Sequence, residues 1–75
     1  MTAIEKLKEV SEHLKSKDIK EPIKEAEILL LESLSINKSD LYTKSFNISE
    51  DISKKIDKLV ERRVKGEPIQ YILGY

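Results

Sequence analysis

The 75-residue chain has no cysteine and no tryptophan, a single histidine, two glycines and two prolines. Without cysteine there is no disulfide framework, thiolate metal site or cysteine nucleophile, a composition that fits a reducing cytoplasm. The lone histidine, His13, has no other ligand types gathered around it, so no metal site is expected. It also leaves no basis for a Ser/His/Asp constellation. The glycines, Gly66 and Gly74, stand eight residues apart with no strand before them, which excludes a glycine-rich phosphate or dinucleotide loop. Charges recur throughout the first 20 residues, so no secretory signal is expected, and no later apolar stretch is long enough to span a bilayer. Net charge is missing too. Lys plus Arg equals Asp plus Glu at 14 each, which argues against a dedicated nucleic-acid or membrane-surface binder.

What remains is a short, charged, helix-forming chain. One domain is the only reasonable organisation, spanning 1–75, and a chain this small buries only about 60% of its unfolded surface. A large internal substrate cavity is not expected, because few apolar side chains could both line it and pack a core. The charge is unevenly spread. Residues 1–37 hold six Lys against eight acids, a balance of −2, and residues 38–75 hold eight basic residues against six acids, a balance of +2.

Apolar periodicity and capping residues predict helices over about 3–17, 22–34, 38–43, 49–65 and 68–73. Thr2 and Glu5 make a capping box. Ala3, Leu7, Val10 and Leu14 form one stripe, with Ile4 and Ser11 beside it. Lys6, Glu9, Glu12 and His13 fall on the other side, so His13 reads as a solvated surface residue. Pro22 suits the first turn of the second helix. Ile23, Ala26, Ile28, Leu29, Leu30, Leu31 and Leu34 cover most of that helix, which makes it the central one. Asn37 caps a short helix holding Asp40, Leu41 and Tyr42. Ser45 to Ile48 reads as a loop with Phe46 against the core. Ser49 caps a long helix carrying Ile52, Ile56, Leu59, Val60 and Val64, ended by Gly66 and Pro68. The expected fold is all-α, a compact bundle of four to five short helices with short connections.

Two charges fall inside apolar stripes: Glu27 on the second helix and Arg63 on the fourth. A charge on a core face must find a partner or reach water. Either the two pair as a guanidinium fork on a carboxylate, with a structural role, or each snorkels out separately. Lys55, Lys58, Arg62 and Lys65 line one flank of the fourth helix. They read either as a solvated face or as a docking strip for an acidic protein surface or a phosphate backbone. Without interleaved aromatics they do not point to nucleic acid. The remaining carboxylates sit beside lysines on wet faces and read as solubilising.

The segment Arg62-Arg63-Val64-Lys65-Gly66-Glu67-Pro68-Ile69-Gln70-Tyr71-Ile72-Leu73-Gly74 resembles the R-R-x-x-G-E-P-x-Q-Y-I-L-G stretch that closes the N-terminal domain of the HemK/PrmC family. Glu25-Ala26-Glu27-Ile28-Leu29-Leu30 is similar to that family's D/E-A-E-L-L-L helix, and Ser39-Asp40-Leu41-Tyr42 to its DLY turn. The resemblance implies the N-terminal, release-factor-docking domain of an S-adenosylmethionine-dependent methyltransferase. Such enzymes methylate the glutamine of the Gly-Gly-Gln motif of class I peptide release factors. The implied partners are a release factor and the enzyme's own C-terminal Rossmann-like catalytic domain, which holds the cofactor and the Asn-Pro-Pro-Tyr motif. This stretch would then carry no catalytic, cofactor-binding or metal residues and be inactive alone, monomeric and cytoplasmic. Gly66, Glu67, Pro68, Gln70 and Tyr71 would sit at the interdomain hinge, or serve only packing, with Ile72 and Leu73 partly exposed. Two other readings stand beside it: a stand-alone helical protein-interaction module, and a nucleic-acid-binding bundle.

Overall fold

A computed structural model describes residues 1–43 and 46–74. Five helices follow one another: α1 (Ala3–Ser16), α2 (Pro22–Leu34), α3 (Lys38–Leu41), α4 (Glu50–Val64) and α5 (Ile69–Leu73). No strand occurs among the described residues, and the all-α bundle is as expected. The ends are set by local chemistry. At α1 the Thr2 amide donates to Glu5 Oε1 at 2.8 Å, while the Glu5 amide donates to Thr2 Oγ1 at 3.2 Å. These bonds to Thr2 hold the Glu5 carboxyl below its ordinary pKa. Asn37 Oδ1 accepts the Asp40 amide, and Ser49 Oγ accepts the Ile52 amide. Pro22 opens α2, where its missing donor removes nothing.

The expected bounds shift by a residue or two. Ser49, Lys65 and Pro68 are caps rather than helical residues, and α1 stops one residue before Lys17. α3 ends at Leu41, and Tyr42 and Thr43 form the closing turn.

α2 packs against all four other helices, which is why its sequence is apolar around most of its girth. Ala26, Leu29 and Leu30 are fully buried. They meet Leu7, Val10 and Leu14 of α1, Ile56 and Val60 of α4, Leu41, and Ile72 of α5 in one core. Ile23 departs from this pattern: it is 61% exposed at the N-terminal end of α2, where no neighbouring helix covers it. Ile72, expected to be partly exposed, is buried, while Leu73 is half-buried.

The segment after α3 is tied to the N-terminus. The Ala3 amide donates to the Phe46 carbonyl at 2.8 Å, and the Ile48 amide to the Met1 carbonyl at 3.0 Å. Thr2 and Asn47 thus form an isolated antiparallel bridge. This places Ile48 in the core with Phe46 packed beside it; the expected loop residue Ser45 lies outside the described residues.

Candidate functional site

The charges inside the apolar stripes are paired, but not with each other. Arg63 Nε donates to Glu25 Oε1 at 2.6 Å and Nη2 to Glu25 Oε2 at 3.3 Å, with both side chains under a quarter exposed. This corrects the expected Glu27–Arg63 pair. Two residues along a helix turn a side chain by about 200°, so Glu25 faces the end of α4 while Glu27 faces α3. Glu27 instead accepts the Tyr42 hydroxyl, and Lys38 Nζ lies 3.7 Å from its other oxygen. The hydrogen bond to Glu27, then burial, then the Glu27 charge push the Tyr42 phenol up to about 12.

A titration follows from this. The folded phenol pKa lies above the ordinary 10.0, so the Tyr42–Glu27 bond contributes fully from neutral pH up to pH 10 and fades as pH rises through about 12. Ultraviolet titration of the folded protein should show one tyrosine ionising near 12. Glu27→Gln should return that inflection toward 10.0; no change on substitution would mean that Glu27 is not the cause.

The basic flank of α4 is less uniform than its spacing suggests. Lys55, Lys58, Arg62 and Lys65 are all exposed. Arg62, however, grips Glu67 across the α4–α5 corner, Nε to Oε2 at 2.8 Å and Nη2 to Oε1 at 3.2 Å. That contact raises the Arg62 pKa and lowers that of Glu67. Lys55 turns toward α5 and lines a groove with Glu32, Ser33, Leu59, Ile72 and Leu73. Lys58 and Lys65 take part in neither of these contacts.

The residues expected at a hinge form a pinned corner. Gly66 takes φ of 107°, a conformation that strains any residue with a Cβ, and open space surrounds it. The Gly66 amide donates to the Arg63 carbonyl and the Glu67 amide to the Arg62 carbonyl. Pro68 caps α5, and Gln70 and Tyr71 face outward.

Two further features were not read from the sequence. Lys6 is buried, with 1% of its side chain exposed, and its Nζ reaches Glu9 Oε1 at 2.9 Å and Asp57 Oδ1 at 2.5 Å. Beside it Glu9, Val10, His13, Asp57, Val60 and Glu61 line a groove of about 230 Å³ between α1 and α4. His13 is half-buried there rather than solvated. Its Nε2 lies 3.5 Å from Glu61 Oε1 without making a hydrogen bond. The second feature is an apolar groove of about 280 Å³ lined by Ile4, Leu7, Lys8, Ser11, Glu12, Ile23 and Tyr42. The exposure of Ile23 makes it, and only the packing of α2 reveals that exposure. Among the described residues no group of three or more carboxylates and histidines is placed to hold a metal ion. No helix there is long and apolar enough to cross a membrane.

Residues 5–74 match the model of a family described as the PrmC N-terminal domain. Relatives named release factor glutamine methyltransferase show the same similarity. That of Thermodesulfovibrio yellowstonii is 35% identical over 74 residues, covering 99% of this chain and 25% of its own length. That of Koribacter versatilis is 36% identical over 64 residues, covering 84% of this chain and 23% of its own. That of Fusobacterium nucleatum is 38% identical over 65 residues, covering 84% and 18%. The chain therefore spans a quarter or less of these relatives. No solved structure matches it.

Proposed function

Because the chain belongs to the PrmC N-terminal domain family, we propose that it is the release-factor-docking domain of an S-adenosylmethionine-dependent protein methyltransferase, whose substrate is the glutamine of the Gly-Gly-Gln motif of class I peptide release factors. The observation that carries this reading is the family match across residues 5–74. The relatives named for release factor glutamine methylation support it.

The physical case concerns recognition. One glutamine side chain offers too little surface to identify a protein substrate. Contacts far from the reacting amide must therefore supply the discrimination. A rigid bundle with an exposed basic flank at Lys58 and Lys65, and an apolar groove at Ile23 and Tyr42, offers such contacts. The described residues do not fit the methyl donor itself. Gly66 and Gly74 both lie at helix C-termini, not in a strand-to-helix turn. The grooves at Ile23 are open and of about 280 and 290 Å³, just under the roughly 300–1,000 Å³ range of small-molecule sites. In this reading the cofactor and the chemistry belong to a following catalytic domain, and the enzyme works in the cytoplasm as a monomer.

The test uses the parent enzyme with and without this domain, on two substrates. Removing the domain should lower kcat/KM on intact release factor by about tenfold or more, equivalent to about 1.4 kcal/mol of lost binding. A short peptide carrying Gly-Gly-Gln should be methylated at an unchanged rate. Equal losses on both substrates, or none on either, would sink the docking role.

A further inference from the structure

α5 forms a ridge between two shallow grooves. Ile69 lines one, of about 250 Å³, with Glu21, Lys24, Glu25 and Ile28. Ile72 and Leu73 line the other, of about 190 Å³, with Lys55 and Leu59. On the crest between them Tyr71 is 76% exposed, more than any other large apolar or aromatic side chain described. Ser33 also lines the second groove, and its hydroxyl oxygen is buried without a hydrogen-bond partner among the described residues. An exposed ring alone is ordinary. A ring on a ridge, beside half-buried apolar side chains and an unmatched buried hydroxyl, has the make-up of an interface.

The ridge is also fixed in place. The two-pronged Arg62–Glu67 contact spans the corner, at 2.8 and 3.2 Å. Ile72 anchors the inner side of the helix in the core. The corner is thus held from two sides, by an exposed ion pair and by a buried side chain.

We propose that the α5 face, with Tyr71 at its crest, is a rigid seat for the domain that follows in the parent enzyme. Residues 66–71 then set the angle between domains rather than act as its pivot. The occupant is argued from length. The match covers only 25% of the Thermodesulfovibrio relative, and by its description it is the N-terminal part. The rest of such a chain begins within a few residues of α5. A tethered neighbour is held at an effective concentration on the order of millimolar. It can thus be seated by less area than the ~1,000 Å² a free partner needs. The seat suits an apolar surface that accepts an aromatic ring and presents a backbone group to Ser33. The inference rests on the proposal that a catalytic domain follows, but not on release-factor docking.

The experiment is oxidative footprinting of the full-length parent, alone and with release factor. In this domain Tyr71 is 76% exposed and Tyr42 43%, so exposure alone would have Tyr71 label faster. In the free parent Tyr71 should instead label about tenfold more slowly than Tyr42. Tyr71→Ala should also speed proteolytic cleavage between the domains by about tenfold, and Tyr71→Phe should not. Tyr71 labelling faster than Tyr42 in the parent would overturn the proposal, as would protection that appears only with release factor. If Tyr71 labels freely while the parent still needs this domain to methylate release factor, the docking role stands and the seat falls. A parent with no following domain would sink both.

Discussion

Replacing Leu30 with alanine should cost about 3 kcal/mol, within the range for emptying a fully buried leucine site. Leu30 is 0% exposed and belongs to the shared core at the middle of α2. The other four helices pack on α2, so they are constrained from closing over the hole. A chain of 75 residues is expected to have a total stability of only about 4–11 kcal/mol. The midpoint of thermal unfolding should therefore fall by roughly 12–24 °C, since each kcal/mol is worth about 4–8 °C in a domain of this size. The comparison that sharpens the test is Ile23→Ala. By helical periodicity Ile23 belongs to the same apolar surface, yet it is 61% exposed. Its loss should change stability by about 0.5 kcal/mol or less. Circular dichroism melts of the two variants would decide the matter. Equal losses would mean that the N-terminal end of α2 is covered in solution.

That contrast shows where reading the chain alone stops. Helix caps and stops, which depend on residues a few positions apart, were legible: the Thr2–Glu5 box, the Asn37 and Ser49 caps, and the turn at Gly66. The stripe on α1 and the central place of α2 were legible for the same reason, because apolar spacing reports which face needs cover. Spacing does not report which helix provides the cover. Arg63 was read either as the partner of Glu27 or as reaching water by itself; it meets Glu25 instead, and which carboxylate it finds depends on how α4 lies across α2. The bridge between Thr2 and Asn47 joins segments far apart in sequence through backbone atoms alone, and so leaves no trace in side-chain pattern. The proposed docking surfaces share this limit. The basic flank is visible in the spacing of Lys55, Lys58, Arg62 and Lys65, while the engagement of Arg62 by Glu67 depends on the corner at Gly66.

Lys6 offers the severest test of the α1–α4 seam. A wheel projection puts it with Glu9 and Glu12 on the wet side, yet 1% of its side chain is exposed. The reason is that α1 packs against both α2 and α4, so its buried arc is wider than one stripe. The aliphatic stem fills the seam, and the covered amine ends between carboxylates that are themselves more than half exposed, Glu9 at 53% and Asp57 at 57%. The stem and the charge can be separated. Lys6→Ala removes both and should cost about 3 kcal/mol, as for truncating a buried methionine. Lys6→Met keeps the stem and should cost about 1 kcal/mol or less, because water can replace the amine at two half-exposed carboxylates. Burial works against the Lys6 charge, but hydrogen bonds to Asp57 and Glu9 outweigh it, and the amine pKa stands above its ordinary 10.5. The charge contribution is thus complete below pH 10.5 and fades as pH rises through the higher folded value. The gap between the native chain and Lys6→Met should accordingly be flat across neutral pH and close only in strong alkali. Denaturant melts of the three proteins would measure this. If Lys6→Met fell as far as Lys6→Ala at neutral pH, the carboxylate contacts, and not the packed stem, would hold α1 to α4.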